Sequence, residues 1–371
     1  MNGVVIGALM ALGMMQQQTD TVFPAAGAKR LDVEVPGGSI AVTGWDRNEI
    51  RIQASHSHRT HIEIQRSGDR ISVEAEADRG PVTIVDYTIS VPRTLSVSLE
   101  GMYADMTVDG VNGDLDAETL QGDVTVKGGG GSVKASSTTG KILVQGAHGK
   151  VDVESTASEI RLVDVSGDVT GESVGGSIVF ENAHPTSVDV GTTGGRIRYE
   201  GALDPKGSYY FGTFGGSVTI VVPEGTGASL SLSTVHSSAM TNLGGEMQRF
   251  KSGDRHHVDV NGGGAVVEIE SFGGRIAVVR KGTEDTVGGA ADDELGSDDL
   301  AGPGHAFGRS QFIHPGDFAG LDHLAGLNPT AGLDHLAGLE DLAGLGASIQ
   351  ASVQEALQQA GVGTWRDGGR R

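Results

Sequence analysis

The chain reads Gly113-Asp-Leu115, Gly122-Asp-Val124, Gly131-Ser-Val133, Gly140-Lys-Ile142 and Gly149-Lys-Val151, so that a glycine-led unit returns every nine residues. The pattern continues through Ser158-Glu-Ile160, Gly167-Asp-Val169 and Gly176-Ser-Ile178, and after a one-residue slip through Val188 and Gly195-Arg-Ile197. The residue two places after each glycine is apolar, and the residue four places after it is mostly so. This alternation is typical of a short strand with one buried face. The repeat predicts β units that pack mainly on their neighbours.

Nine residues cannot surround a core, whereas two units can. We therefore predict a coil of about 18 residues with two strands, stacked in parallel at about 4.8 Å per coil. In that register Asp123 and Glu159 flank Lys141, so opposite charges alternate along the stack. Lys150 and Asp168 are likewise neighbours. The position seven after the glycine is small or apolar in most units and predicts a corner side chain that turns inward: Leu120, Thr138, Ala147, Thr156, Val165 and Val174.

The segments on either side of the repeat complete an all-β prediction. Residues 30–110 alternate apolar and polar positions between turns such as Pro36-Gly37-Gly38, which indicates antiparallel-looking strands. We interpret them as an N-terminal β cap, because the first coil of a β-solenoid would otherwise expose an unpaired edge. The repeat domain spans residues 111–281, since Phe214-Gly-Gly216 and Phe272-Gly-Gly274 restate its motif.

The last 90 residues differ in composition. Residues 282–345 form an acidic, Gly- and Leu-rich low-complexity linker, and this composition predicts a disordered tail. Residues 346–371 contain a short amphipathic helix, with Ile349, Val353 and Leu357 on one face. Such a tail can dock a partner or remain solvated.

Charge and the N-terminus limit the possible functions. The net charge of -21 argues against nucleic-acid binding, which requires clustered Lys and Arg. Residues 1–20 resemble a signal peptide, because the apolar run from Val4 to Met15 is too short to span a bilayer. No Lys or Arg precedes that run. Ala11-Leu12-Gly13 offers a cleavage site, and residues 24–28 offer a poorer one.

The protein is therefore predicted to be exported and then periplasmic, associated with the cell envelope or secreted, with no transmembrane span beyond the signal. The chain has no cysteine, which excludes disulfides and attachment of a lipid through an N-terminal cysteine.

Two motifs suggest chemistry without establishing it. Gly171-Glu-Ser173-Val-Gly175 matches the nucleophile elbow of serine hydrolases, but that motif requires a strand-to-helix turn and here lies inside the β repeat. His56, His58 and His61 lie close together in sequence, and a strand would place His56 and His58 on one face with Glu63 near by. Solvated histidines are the preferred interpretation. His256 and His257 are adjacent in sequence, which is poor metal-binding geometry.

Two repeat-based activities are also weighed. A calcium-binding β-roll needs turn aspartates in nearly every unit, and most units here lack one. A polysaccharide-active β-helix enzyme needs acidic and basic side chains gathered on one face. The outward charges Asp116, Lys134, Asp152 and Arg161 instead alternate in sign, as solubility requires. We predict no catalytic, cofactor-binding or metal-binding residues, no cofactors, and no enzymatic activity.

The units at 113–197, the opening Pro36-Gly-Gly-Ser-Ile40 with Trp45-Asp46, and the closing Glu268-Ile-Glu-Ser-Phe-Gly-Gly-Arg-Ile276 resemble a known family. It is the bacterial β-strand-repeat family of adhesin-like domains of unknown function, and the likeness covers roughly residues 30–280. The resemblance implies an exported β-solenoid and brings no catalytic residues. The expected function is surface or envelope interaction, as an adhesin-like protein or scaffold that binds protein or glycan. The alternatives are a polysaccharide-active enzyme and an envelope-stress sensor acting through the tail. The oligomeric state remains open.

Overall fold

A computed structural model describes residues 17–82, 84–253 and 255–284, all within the first of two units, Met1–Gly296 and Ser297–Arg371. These residues are all-β and belong to one hydrogen-bonded sheet, and they include no helix. The strands are β1 (Gln17–Pro24), β2 (Arg30–Trp45), β3 (Glu49–His56), β4 (Thr60–Ser67), β5 (Arg70–Ala77), β6 (Val85–Pro92), β7 (Ser96–Asp109), β8 (Leu115–Gln121), β9 (Val124–Lys127), β10 (Val133–Ser137), β11 (Ile142–Gln145), β12 (His148–Ser155), β13 (Ile160–Val163), β14 (Ser166–Ser173), β15 (Ile178–Thr192), β16 (Ile197–Gly201), β17 (Ser208–Thr213), β18 (Val218–Val222), β19 (Ala228–Thr234), β20 (Ala239–Thr241), β21 (Gln248–Phe250), β22 (Arg255–Val260), β23 (Ala265–Ser271) and β24 (Ile276–Arg280).

The strands pair in two ladders. Units two apart are hydrogen-bonded in parallel, so Val133 lies between Leu115 and Val151, and Ile142 lies beside Ile160. This confirms the predicted pairing of residues 18 positions apart. The first ladder runs β4, β5, β2, β7, β8, β10, β12, β14, β15, β17, β23, β19 and β22. The second ladder runs β1, β3, β6, β2, β7, β9, β11, β13, β15, β16, β18, β24, β20 and β21.

The two ladders share one main hydrophobic core. A small second cluster on β18, β20 and β24 consists of Val221, Met240, Ala277 and Val279. The members of the main core are the alternate apolar residues of the repeat, which are almost wholly buried; Val133, Ile142 and Val151 are examples. Burial of one such side chain stabilises the fold by about 1.5–3 kcal/mol, so the stack depends on many small equal contributions. Nearer the C-terminus the core becomes aromatic, and the ring of Tyr199 lies 5.4 Å from that of Phe180 and 5.7 Å from that of Phe211.

Strand direction in the N-terminal segment differs from the sequence-based expectation. The expectation of an antiparallel cap is wrong for β2, which pairs in parallel with β5, β6 and β7. Antiparallel pairing is confined to β1–β3, β3–β6 and β4–β5. The alternation of apolar residues marks the buried face of a strand but carries no information about its direction, and for that reason the prediction failed. β1 begins at Gln17, inside the predicted signal segment 1–20, and residues 1–16 lie outside the described residues.

At one corner of the repeat, the side chain that turns inward is one residue earlier than the sequence predicts. Leu120 and Val174 are 54% and 45% exposed, and Thr138 and Thr156 are exposed too. The side chain that turns inward is the preceding one, a buried serine or threonine. We call this set the corner hydroxyl column, and it consists of Thr119, Ser137, Ser155, Ser173, Thr192, Thr213, Ser271 and Thr234. At the other corner Ala147 and Val165 are buried, as predicted.

Hydrogen bonds explain why a hydroxyl is buried at this corner. Ser137 Oγ donates to the carbonyl of Gly122 (3.1 Å) and accepts from the N–H of Gly140 (2.9 Å). It thus satisfies turn groups of two successive coils that have no strand partner, and a purely apolar side chain could not do so. The hydroxyl joins the turn to the adjacent coil in the same way at Thr192, Thr213 and Ser271, whereas Ser155 bonds only within its own turn.

The repeated glycine is required by a close backbone approach. A Cβ on Gly140 would lie 1.6 Å from the carbonyl oxygen of Gly122, the residue 18 positions earlier. At the opposite corner the requirement is a left-handed backbone, which Gly146 adopts at φ 69°. Asp164 and Asn182 follow in the same column at φ 52° and 50°, and these residue types enter that region most readily after glycine.

Chain order changes at the C-terminal end. β23 pairs with β17 and β24 with β18, so the last two strands lie between strands that precede them in sequence. The ladders finish with the antiparallel strands β22 and β21. Thr283 Oγ1 donates to the Arg280 carbonyl and accepts from the Asn242 side chain, which extends the folded body past residue 281. The predicted linker from residue 285 onward and the predicted helix in 346–371 lie outside the described residues.

Candidate functional site

The outward face of the first ladder carries a line of carboxylates. Glu100 pairs with Glu118, Ser136 follows, and Glu154 pairs with Glu172, each in register with the next strand. We call Glu100, Glu118, Glu154 and Glu172 the carboxylate column. Neighbouring members on adjacent strands are separated by about 4.8 Å along the stack. A line of like charges at this spacing is held by the backbone ladder, not by the side chains themselves.

A second outward line on the same face runs beside this column. Lys134 lies between Asp116 and Asp152 in register. Burial raises the pKa of Glu154, repulsion from Asp152 adds to the rise, and the ammonium of Lys134 opposes it. The face is therefore acidic but partly neutralised at one point.

The acidic face continues on β17 and β23, where it gains a cation. Arg255 Nη1 donates to Glu268 Oε1 at 2.7 Å, and its Nη2 donates to Glu270. The Tyr210 hydroxyl donates to Glu270 Oε2 at 3.3 Å. Burial raises the pKa of both Glu270 and Tyr210, although Arg255 lowers that of Glu270. The arginine closes this end of the face by occupying two carboxylates.

An apolar ridge runs along the corner next to the carboxylate column. Its members sit two residues after the glutamate positions, and turn hydrogen bonds between successive coils align them. We call the ridge the apolar corner, and it consists of Met102, Leu120, Val174, Phe214, Phe272 and Val235. Phe214 is 49% exposed and stacks on Phe272 with ring centroids 4.7 Å apart and planes 3° apart. His236 contacts the edge of that pair.

The carboxylate column and the apolar corner form one amphipathic strip. Glu118 precedes Leu120, Glu172 precedes Val174, and Glu270 precedes Phe272, each by two positions. The next residues in the turns range in size from Gly175 to the exposed Tyr103, so the strip is bordered unevenly on that side. Exposed apolar side chains gathered in this way mark interaction surfaces.

A depression lies at the opposite corner, where the repeat slips. Asn182, His184 and Lys281 contribute to its lining together with Glu200. Lys281 and Arg198 both bind the Glu200 carboxylate, at 3.1 Å and 3.0 Å, and these hydrogen bonds lower its pKa. The Glu200 carboxylate is thus already paired within the fold.

The serine of the elbow-like motif has a structural place. Ser173 belongs to the corner hydroxyl column, and its Oγ accepts from the N–H of Gly176 at 2.9 Å. The side chain is 6% exposed, and it occupies a turn between two β units instead of a strand-to-helix junction. Its position therefore matches that of Ser137 and does not provide a nucleophile.

The histidines are not brought together. β3 ends at His56, so the expectation that His56 and His58 share a strand face is wrong. His56 is buried and bonded through Nε2 to Thr19 Oγ1 at 2.9 Å, whereas His61 is exposed beside Glu76. His256 stacks on Phe250 with centroids 4.9 Å apart. Within the described ranges, no group of three or more His, Asp or Glu side chains is placed to hold a metal ion.

The outward charges noted in the sequence divide between the two ladders. Asp116, Lys134 and Asp152 are stacked neighbours on the first ladder, whereas Arg161 is on the second and pairs with Glu159 and Glu181. Asp123 and Lys141 are neighbours on adjacent coils, as predicted. The Asp123 carboxylate, however, accepts a hydrogen bond from the Lys141 backbone N–H at 2.8 Å.

The nine-residue analysis missed the corner hydroxyl column and the carboxylate column, although the sequence contains a signal for both. The corner hydroxyls and the column glutamates occur six and five residues after the glycine, but only in alternate units, as at Ser155 and Glu154 after Gly149. A nine-residue alignment averages them away, whereas an 18-residue alignment shows them.

Comparison with known proteins identifies no family. No protein-family model and no curated protein sequence matches the chain. A candidate cell adhesion protein from Clostridium sporogenes is 12% identical over 72% of this chain and 100% of that chain, with a TM-score of 0.23. A candidate adhesin from Bacteroides fragilis is 14% identical over 71% of this chain and 97% of that chain, with a TM-score of 0.35. The family resemblance of the repeats stays a prediction. In the part of the chain that the structure describes, no helix is long and apolar enough to cross a membrane.

Proposed function

We propose that this chain is an exported, non-enzymatic β-solenoid that binds a protein partner in the cell envelope, in the manner of an adhesin or scaffold. The amphipathic strip carries the proposal, because glutamates and apolar side chains recur beside one another along the ladder, with threonine in the apolar position at Thr138, Thr156 and Thr193. A rigid ladder that presents side chains about every 4.8 Å suits an extended partner, which can contact several coils at once.

The chemistry of the strip indicates what kind of partner it fits. The apolar corner offers leucine, valine and phenylalanine side chains, which gain from being covered by apolar groups. The carboxylate column favours cations beside them and repels anions. A protein segment that combines basic and apolar side chains meets both requirements, whereas an acidic polysaccharide meets neither. A neutral glycan would use the aromatic pair Phe214 and Phe272 alone.

Substitution of the strip tests the proposal. Leu120→Ser with Phe214→Ser removes two apolar contacts, and Glu118→Gln with Glu172→Gln removes two charges. Proximity labelling in the native cell should then lose the neighbours that the unaltered protein labels. Thr219→Ser with Arg198→Gln, on the second ladder, is the matched control and should leave the labelling unchanged. The proposal fails if the strip variants and the control label the same neighbours.

One observation favours the enzymatic alternative. Glu154 has a raised pKa next to Asp152 and Lys134, and a raised carboxyl pKa is a common property of general acids. We expect the purified protein to leave uronic-acid polymers uncut. Cleavage that is lost in Glu154→Gln would support the enzyme and overturn the proposed function.

Deletion of the tail distinguishes binding by the tail, as in a sensor or scaffold, from binding by the amphipathic strip. Removal of residues 285–371 should preserve the labelled neighbours if the strip binds them. Loss of those neighbours on deletion, with the strip substitutions silent, would instead assign the interaction to the tail.

A further inference from the structure

The two ladders do not end together at the N-terminal end of the stack. Beyond β2 the first ladder adds β5 and β4, whereas the second adds β6, β3 and β1. β1 therefore extends one strand past β4. Among the described residues, no strand occupies the place that lies beside β4 and faces β1. At the opposite end the ladders finish level, with β22 and β21.

Both strands that border this vacancy have open edges. β1 and β4 are eight residues long and pair with their single neighbours in continuous register without a bulge. Neither contains lysine, and the proline of β1 is its last residue, Pro24. Natural sheets blunt exposed edges with charged side chains, especially lysine, and with internal proline, bulges or inward-pointing charges. β4 carries one such charge, Arg66, whose guanidinium donates to the Ala26 carbonyl. Because both strands lack lysine, internal proline and a bulge, their edges can still accept a strand.

The core is incompletely covered at the same place. Phe23 on β1 and Ile62 and Ile64 on β4 are only partly buried, although they pack against the core. The residues opposite Phe23 and Ile64 one strand further in, Ile50 and Val73, have no exposed surface. A strand in the vacancy would give the three outer side chains the same cover, and the hydrophobic gain would add to its hydrogen bonds.

We propose that β1 of a second copy of this chain fills the vacancy. A two-fold axis perpendicular to the stacking direction, which exchanges the ladders, sets each β1 beside the β4 of the other copy. Both vacancies close at once, so the contact is isologous and stops at a dimer. Two eight-residue strands per copy, with the core residues behind them, approach the roughly 20 residues a side of a stable interface. If the signal is cleaved after Gly13, only residues 14–16 precede β1, too few to form the missing strand.

The absence of cysteine allows a clean test of this pairing. Val22→Cys on β1 and Gln65→Cys on β4 place single thiols at exposed outward positions, in the full chain without residues 1–13. A short bismaleimide should crosslink a mixture of the two variants into dimers that contain one of each. Each variant alone, and His257→Cys on β22 mixed with either, should stay at background. Self-crosslinking of Val22→Cys, or a monomer by light scattering at the crosslinking concentration, would overturn the proposal.

A charged substitution on the inward side of β4 tests the dimer contact independently, through the dimer dissociation constant. Ile62→Lys should raise the dimer dissociation constant at least about tenfold, because the ammonium would be enclosed only in the dimer. Glu63→Lys, its outward neighbour, should leave that constant within a factor of about three. An Ile62→Lys protein that unfolds at the usual temperature and dimerises normally would refute the proposed contact. If that variant does not fold, the crosslinking pair decides alone.

Discussion

The buried Ser137 hydroxyl stabilises the turn at one corner of its coil through two hydrogen bonds to the backbone. Ser137→Ala removes the acceptor of the Gly140 N–H and the donor to the Gly122 carbonyl, and both backbone groups lose their partner inside the protein. We expect the free energy of unfolding to fall by about 1–3 kcal/mol. Urea denaturation followed by circular dichroism measures the change.

The neighbouring residue provides the control for this substitution. Thr138 is exposed, so Thr138→Ala should change the free energy of unfolding by no more than about 0.5 kcal/mol. The reverse ranking would restore the corner predicted from sequence, in which Thr138 turns inward.

The glycine that opens each unit makes a second prediction at the residue scale. Gly140→Ala forces a Cβ against the Gly122 carbonyl oxygen. The backbone at both residues is fixed by the surrounding turns and cannot move away freely. We expect a loss of about 3 kcal/mol or more, among the largest effects of a single substitution. In Gly175→Ala the new Cβ would lie 3.6 Å from its nearest neighbour, an ordinary contact. A thermal melt in which the two variants unfold together would contradict this account of the repeat.

Some of this residue-level detail could be predicted from the sequence, and some could not. The inward residues of the strands, such as Val133 and Ile142, follow from the alternation of apolar positions. Ser137 does not, because its burial depends on two backbone groups that only the folded turn brings to it. The left-handed conformation of Asp164 and Asn182 could not be predicted either. These residues stand where Gly146 stands in an earlier coil, so no glycine marks the turn in the sequence.

At the scale of the element, the carboxylate column links pH to stability. The pKa of Glu154 is raised in the folded protein above its ordinary value of 4.5. Above pH 4.5 the unfolded chain therefore releases a proton that the folded protein still holds, and stability falls as the pH rises toward the folded pKa. Glu154→Gln should raise the unfolding midpoint at pH 7 and flatten the decline above pH 4.5.

An exposed glutamate in a turn serves as the reference for this measurement. Glu246→Gln removes one carboxylate from an exposed position between β20 and β21, so it controls for the loss of a single charge. Thermal melts between pH 4 and pH 8 would contradict the assignment if Glu154→Gln and Glu246→Gln gave the same curve.

Strand pairing was predictable only where the sequence repeats. The 18-residue register between β8, β10 and β12 follows from two nine-residue units per coil. The parallel pairing of β2 with β7 does not, because residues 30–45 contain one glycine-led unit, Gly38-Ser-Ile40, and a single unit sets no nine-residue spacing. The placement of β23 and β24 ahead of β19 and β20 reflects pairing between residues 58 positions apart, such as Ser208 and Val266, on which local patterns have no bearing.

At the scale of the whole molecule, the described strands hydrogen-bond with one another and share one main core. A chain that ends at Gly296 should therefore keep the denaturation midpoint of the full chain, since it retains every described residue. A chain that ends at Val279 should be less stable, because it loses the Arg280 and Thr283 contacts to Asn242. Equal midpoints for these two truncated chains would show that the folded body ends before residue 280.

If residues 1–20 contain a signal peptide, the position of β1 limits where it can be cleaved. β1 pairs with β3 along its whole length, and Asp20 binds Arg51 through two hydrogen bonds of 3.0 Å and 2.6 Å. Cleavage after Gly13 preserves this strand, whereas cleavage at residues 24–28 would remove it and expose β3. We expect N-terminal sequencing of the mature protein from the native host to begin between Met14 and Gln17. A mature protein that begins after Pro24 would remove β1 and, with it, the proposed dimer contact.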